Sequence, residues 1–353
     1  MRAIFYAAVL FVTFGLTVLI LRFLIPFLKS KKMGQKILEI GPRWHKSKEG
    51  TPAMGGLSFI AATLIVMAVA LPLAAVSGVI SNVGGILLAL GYALINGLIG
   101  VIDDTAKFKK GENKGLSALQ KYLLQLVAAS AFFFVGVWLK IIPGRPEDFL
   151  HIPFAGDVLP LSNIVVRILY YVFSLVLLTG MVNAVNLTDG IDGLSSSVTL
   201  VVGLFYTAAS TIALSVVSGF AGAEGVQLLS AAMIGGCAGF LVYNFHPAKV
   251  FMGDTGSLYL GGLVVAAAFV LRNPLIVIFC GFVYIMETLS VILQVGYFKL
   301  THGKRLFKMS PIHHHFEKCG WSEVKIVAVF SAAAFLLCAV GIVDYILTAI
   351  MNH

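Results

Sequence analysis

The sequence predicts an all-α polytopic membrane protein, about ten transmembrane helices forming a single integral-membrane domain over residues 1–353. Three observations predict it. Hydrophobic residues make up 59% of the chain and charged residues only 12%, where a soluble domain carries roughly 25% charged. Mainly apolar runs of the length that spans roughly 30 Å of hydrocarbon as a helix recur at 3–28, 53–75, 82–102, 117–139, 163–185, 193–217, 226–244, 255–272, 274–299 and 323–349. Lysine and arginine are concentrated in alternate loops between these runs.

The first run begins next to Met1 and has no small-residue cleavage site after a short apolar stretch, so it is expected to be a retained span rather than a signal peptide. Pairs such as Gly55-Gly56, Gly84-Gly85, Gly235-Gly236 and Gly261-Gly262 lie in or beside spans, where small residues let helix backbones approach. The ninth run, about 26 residues, would be roughly 39 Å long as a straight helix at 1.5 Å per residue. It must tilt, break or project. Between spans four and five, Pro143-Gly144, Pro146, Pro153 and Gly156 punctuate residues 141–160, which read as a small hairpin-like cap. Cys237, Cys280, Cys319 and Cys338 show no zinc or redox spacing.

Short positive loops stay in the cytosol. Lys29, Lys31, Lys32, Lys36, Arg43, Lys46 and Lys48 follow span one, Lys107, Lys109, Lys110 and Lys114 follow span three, and Lys304, Arg305, Lys308 and Lys318 precede span ten. The other side has little beyond Lys140, Arg145 and Arg272. The loops 29–52, 103–116, 186–192, 245–254 and 300–322 are therefore expected in the cytosol, and both termini and the 141–160 cap outside. The net charge of +9 is accounted for by this topology and by attraction to anionic membrane lipid, so no nucleic-acid partner is expected.

The acidic residues, 16 in all, include three groups at helix ends on this same face: Asp103-Asp104 in GVIDDTAK, Asp189 and Asp192 in NLTDGIDGL, and Asp254 in FMGDTGSL. Adjacent carboxylates repel unless a cation neutralises them, and Mg2+ is the usual companion of carboxylates working on phosphates. Each group alone also fits a plainer reading: solvated turn residues for the Asp pair, an Asx-type turn for NLTDGIDGL, a helix N-cap for Asp254. Lys107 lies one helical turn beyond Asp104, and Asn96 two turns before Asp103, where an amide would line an approach from the membrane. Asn186, Asp189 and Asp192 recur every third residue and would share a face on a helical turn, with Gly190 and Gly193 offering backbone N–H groups to an anion. The segment YNFHPAKVF adds Asn244, His246 and Lys249. In SPIHHHFEKCG, consecutive histidines of an extended segment would point to alternate faces, so a zinc site is not expected and imidazole contacts to phosphate oxygens are.

IDDTAK, NLTDGIDGL, FMGDTGSL and PIHHHFE, in that order on one face of a ten-span chain, resemble the phospho-N-acetylmuramoyl-pentapeptide transferases. These are members of the polyprenyl-phosphate N-acetylhexosamine-1-phosphate transferase superfamily. The resemblance covers essentially the whole chain, GTPAMGG at the start of span two included. It implies a Mg2+-dependent enzyme of the bacterial cytoplasmic (inner) membrane, its active site on the cytosolic face. The implied reaction transfers phospho-MurNAc-pentapeptide from UDP-MurNAc-pentapeptide to undecaprenyl phosphate, giving UMP and lipid I for peptidoglycan synthesis. It further implies Asp254 as the Mg2+ ligand with support from Asp104, and Asp103 as base or orienting group for the acceptor phosphate. Asn186, Asp189, Gly190, Ile191 and Asp192 would form the uridine-side wall, Phe251 would stack on the uracil, and His313 and His314, with His315 less firmly placed, would contact phosphate. Lys46 and Thr51 fall on the sugar side. Lys107, Lys114, Lys121 and the Asn244 loop supply further groups that hold charge, as a pyrophosphate donor requires.

Two other classes compete. A transporter would carry its charges near the bilayer midplane, where this chain has only Glu287. A sister transferase would use UDP-N-acetylglucosamine, and PIHHHFE argues against it. A homodimer is left open. The orientation is testable by thiol labelling of intact cells: Asp148→Cys is expected to react with an impermeant reagent and Ser117→Cys not to, and the opposite pattern would invert the topology.

Overall fold

The computed structural model describes residues 2–31, 48, 50–110, 115–216 and 221–351. In chain order the helices are α1 (Arg2–Ser30), α2 (Leu57–Val76), α3 (Gly84–Lys110), α4 (Ala118–Trp138), α5 (Ile164–Thr188), α6 (Leu194–Val216), α7 (Ala221–Asn244), α8 (Gly253–Val270), α9 (Val277–Cys280), α10 (Phe282–Leu300), α11 (Ile312–Lys318) and α12 (Glu323–Met351). All except the short α9 and α11 are long and apolar enough to cross a membrane, ten among the described residues. Between α4 and α5, β1 (Phe149–Ile152) pairs antiparallel with β2 (Gly156–Pro160), with an irregularity between Leu150 and His151.

The bundle is built around α8. Apart from its first turn this helix is apolar and small-residue-rich on every face, a composition suited only to a helix surrounded by others, and each residue from Thr255 to Val270 is buried. It packs against α3 and α5, while α7 packs against α1 and α6, and α12 against α6. The most apolar window of α8 is 89% buried, against 22% for α10. Outer helices therefore turn Phe11, Phe23, Ile292, Leu293 and Leu300 outward. Such a surface is stable facing lipid, where apolar exposure carries no hydration cost. Close packing at the start of α2 requires glycine: a Cβ on Gly56 would fall 2.3 Å from Gly256 Cα. That contact docks GTPAMGG against GDTGS, two segments expected to share a face.

Three elements differ from the sequence expectation, α3, α5 and the histidine run, and a fourth, the ninth run, takes one of the courses its length allowed. Helix α3 runs to Lys110, about two turns past the expected end at residue 102. Ion pairs from Lys107 to Asp103, and more distantly to Asp104, bridge its last turns on the inner side of the helix. Helix α5 continues to Thr188, so Asn186 is helical while 189–193 forms a turn; the triplet Asn186, Asp189, Asp192 does not lie along one helix face. The ninth run breaks: a 3-10 turn at Pro274–Ile276 leads into α9, and Gly281 separates α9 from α10. The histidine run is not extended but forms α11, started by Pro311.

At the opposite end from the acidic groups, the β-hairpin is pinned by His151. Its Nδ1 lies 2.9 Å from Asp157 Oδ1 and its Nε2 3.2 Å from Asp344 Oδ2 on α12. Asp344 also accepts from the Phe154 N–H at 2.7 Å and the Asn273 amide at 2.8 Å. Burial opposes charge on His151, but the bonds to Asp157 and Asp344 outweigh it and raise its pKa to about 9. A raised imidazole pKa contributes stability that is complete below the ordinary value near 6.5 and is lost as pH rises through about 9. The melting temperature in detergent should therefore fall between about pH 7 and pH 10, and His151→Phe should flatten that slope.

Candidate active site

The end of α3 crosses the start of α8 at near backbone contact. A Cβ on Gly100 would fall 2.3 Å from the Asp254 carbonyl oxygen, so only glycine permits the approach. One turn on, Asp104 caps α8 from outside its own chain segment. Its Oδ1 accepts from the Asp254 N–H at 3.3 Å, and its Oδ2 accepts from the Thr255 N–H at 3.0 Å and the Thr255 hydroxyl at 2.8 Å. A carboxylate at a helix N-terminus satisfies orphan donors and faces the positive end of the helix dipole. Asp254 thus sits in the first turn of α8 with its side chain turned to Asp103 and Asp104.

Two lysines complete the cluster. Lys107 Nζ lies 2.7 Å from Asp103 Oδ2, 2.9 Å from Asp254 Oδ2 and 3.6 Å from Asp104 Oδ1. Helix α4 starts with a capping box between Ser117 and Gln120. That start places Lys121 on the first turn, 2.7 Å from Asp254 Oδ2. Asp103 Oδ1 accepts from the Leu116 N–H at 2.7 Å, tying the α3–α4 connection to the cluster. From α5, the Asn186 amide donates to Asp254 Oδ1 at 2.9 Å and to the Ser257 hydroxyl at 2.8 Å.

One ligand oxygen from each of Asp103, Asp104 and Asp254 lies within 4.8 Å of the others. Three carboxylates against two ammonium groups leave a formal charge of −1. The Asp254 side chain is 18% exposed, compared with 4% for Asp103 and 6% for Asp104, so it is the carboxylate a solute meets. An all-oxygen donor set of this kind fits a hard divalent cation such as Mg2+. A bound divalent ion would make the cluster formally cationic and suited to a diphosphate.

Beyond α5 the turn divides its acids between two environments. Burial pushes Asp189 well above the ordinary carboxylate range, with the charges of Asp254, Asp104 and Asp192 acting in the same direction. Asp192 turns away into a second cluster: Lys48 Nζ at 2.8 Å from Oδ1, and His246 Nδ1 and the Ala248 N–H each at 3.0 Å from Oδ2. Glu323, at the start of α12, accepts from the same Lys48 at 2.7 Å and from the Asp192 N–H at 3.0 Å. Asn244 is buried, its Oδ1 accepting from the Gly193 N–H at 3.1 Å and its Nδ2 donating to the Val250 carbonyl at 2.9 Å. These contacts hold the turn and the 245–252 loop in place. Ile191 is buried as well.

Phe251 is half-buried and paired through its backbone to Pro52 and Gly55 at 2.8 Å each, which brings Thr51 to the same loop edge. Asn96, expected along an approach from the membrane, is instead fully buried, its amide donating to the Tyr92 carbonyl at 2.9 Å. On α11, His313 is buried against Glu287, His314 pairs with Glu317, and His315 Nδ1 accepts from the Lys308 N–H at 3.1 Å. Lys46 and Lys114 lie outside the described residues. Four contributors were not among the expected site residues: Thr255, Ser257, Glu323 and Lys48. The first two stand in FMGDTGSL beside Asp254; Lys48 counted only toward the topology, and Glu323 shows no local signal.

A largely buried cluster of three carboxylates and two lysines lies at one end of an apolar bundle with ten span-length helices among the described residues, the arrangement of a multi-pass membrane protein with a polar site, and a family model for glycosyl transferase family 4 matches residues 86–272. The chain is 40% identical over 331 residues to a phospho-N-acetylmuramoyl-pentapeptide-transferase of Staphylococcus carnosus, covering 94% of this chain and 96% of the relative. It is 44% identical over 319 residues to the enzyme of that name from Clostridium kluyveri, covering 90% and 92%. The protein therefore belongs to the phospho-N-acetylmuramoyl-pentapeptide-transferase family.

Proposed function

We propose that the protein transfers phospho-MurNAc-pentapeptide from UDP-MurNAc-pentapeptide to undecaprenyl phosphate, releasing UMP and forming lipid I, at the cytosolic face of a bacterial inner membrane. The observation that carries the reading is the convergence of Asp103, Asp104 and Asp254 with Lys107 and Lys121 where α3, α4, α5 and α8 meet. The cytosolic assignment is supported by the lysine- and arginine-rich loops at that end.

Asp254, with Asp104 behind it, would hold Mg2+, which when bound supplies positive charge to the phosphoryl oxygens as the leaving group departs. Lys107 and Lys121 bind and orient the donor pyrophosphate. Asp189, with Gly190 and Ile191, forms the wall on the uridine side. Phe251 and Thr51, with Asn186, flank the uridine and sugar ends.

An oxygen of the lipid phosphate attacks the β-phosphorus of the donor, and the bond from that phosphorus to the oxygen of the leaving UMP breaks. Direct attack is favoured because a phosphate monoester, with a second pKa of about 6, is already an anionic nucleophile near neutral pH. Asp103 then positions that phosphate or removes its residual proton. A covalent route through Asp254 would need that residue to leave its two lysines and serve as nucleophile.

Purified protein given UDP-MurNAc-pentapeptide, undecaprenyl phosphate and Mg2+ is expected to release UMP, and UDP-N-acetylglucosamine is not expected to replace the donor. With donor and Mg2+ but rigorously no lipid, no stoichiometric UMP burst should appear. A burst with a sugar-phosphate adduct on Asp103, Asp104 or Asp254 would overturn direct attack.

A further inference from the structure

Glu287, in the second turn of α10, and His313, in the first turn of α11, are both fully buried. The Glu287 Oε2 lies 3.0 Å from His313 Nδ1 and also faces the His313 backbone N–H at 3.5 Å. A carboxylate at Nδ1 fixes ring orientation and places a proton on that nitrogen. The other ring nitrogen, Nε2, is buried and makes no hydrogen bond among the described residues, and neither does Glu287 Oε1. An orphaned, fully buried polar atom is costly unless a ligand completes it.

The direction of Nε2 is set by the turn after α5. A Cβ on Gly190 would fall 2.2 Å from His313 Nε2, closer than atoms can pack. Gly190 lies outside the left-handed region, so glycine is required there by the imidazole and not by the backbone. The ring therefore packs on that turn, at the residue that follows Asp189 in the chain, and Asp189 itself lies within the field of Asp254 and Asp104.

We propose that Glu287 is a positioning residue: it holds the His313 ring with Nε2 directed past Gly190 at the phosphate end of the site. With Nδ1 already protonated toward Glu287, Nε2 donates to a phosphoryl oxygen when the ring carries its second proton as imidazolium, and the Glu287 carboxylate is the counter-charge for that cation. The inference rests on the transferase reading and gives Glu287, whose acid lies deep in a span, a task within it. Because Glu287 acts through His313 alone, its effect must vanish when His313 is replaced.

The test is a double-mutant cycle on the full-length enzyme, reading kcat, donor KM and melting temperature, with wild-type turnover in the same preparations separating failure of this pairing from failure of the transferase reading. Glu287→Gln is expected to lower kcat about tenfold to a hundredfold, the usual effect of losing a histidine's orienting partner. Donor KM should stay within about threefold and the melting temperature within a few degrees, and Glu287→Asp should recover part of the loss. In a His313→Gln background, whose amide can still meet Glu287, adding Glu287→Gln should cost less than about twofold. Gly190→Ala, which displaces the ring and leaves both partners intact, should lower kcat in the same way. Should Glu287→Gln not fold, Gly190→Ala and Glu287→Asp decide the matter. The proposal is overturned if Glu287→Gln or Gly190→Ala keeps more than half of wild-type kcat, or if the losses at Glu287 and His313 multiply.

Discussion

The contact between the end of α3 and the start of α8 is the constraint on which the rest depends. Because Gly100 lets the two backbones meet, the Asp104 carboxylate reaches the first N–H groups of α8 and fixes where Asp254 stands. The same crossing forces three carboxylates together, and two unit charges 4 Å apart repel by about 4 kcal/mol at an effective dielectric near 20. Lys107 and Lys121 offset that repulsion, and each comes from a helix whose own start or end is defined by local chemistry. Fold and site are therefore not separable here. Removing the glycine contact would dissolve the charge cluster along with the packing.

The burial of α8 explains how such a cluster persists beside hydrocarbon. A central helix with small residues at Gly256, Gly261 and Gly262 admits α2, α3 and α5 closely, so the polar first turn is enclosed by protein and not by lipid. The outer helices carry large apolar side chains and tolerate lipid on most of their surface. Positioning and electrostatics do most of the catalysis in phosphoryl transfer, and a rigid inner shell of helices is suited to that task.

Much of this was legible in the sequence because its signals are local. Spans follow from length and hydropathy, and Asp103, Asp104 and Asp254 could be grouped because they fall at helix ends on one predicted face. Lys107 sits one turn from the Asp pair, so its partner was readable from helical spacing alone. Lys48, Asp192, His246 and Glu323 were not readable as a unit: the pairs span from 54 to 275 residues, and no local pattern encodes such contacts. Asn244 stood out by its place in a polar loop, while the bonds of its amide to the backbone of Gly193 and Val250 follow from no local pattern. The histidines read as extended because three identical residues carry no period; Pro311 and the pairing of His314 with Glu317 make them helical. Glu287 was visible only as an isolated acid in an apolar run, since its partner arrives from a separate helix.

The central claim is that the charges gathered at the α3–α8 crossing form one cation-dependent transfer site with Asp254 at its accessible edge. The most direct test is turnover of Asp254→Asn over a Mg2+ titration, with folding checked by melting temperature. Losing that charge should remove several kcal/mol of transition-state stabilisation, a drop of about a thousandfold or more in rate that added Mg2+ does not restore, while the protein stays folded. Retention of more than about a tenth of wild-type activity at ordinary Mg2+ would contradict the account.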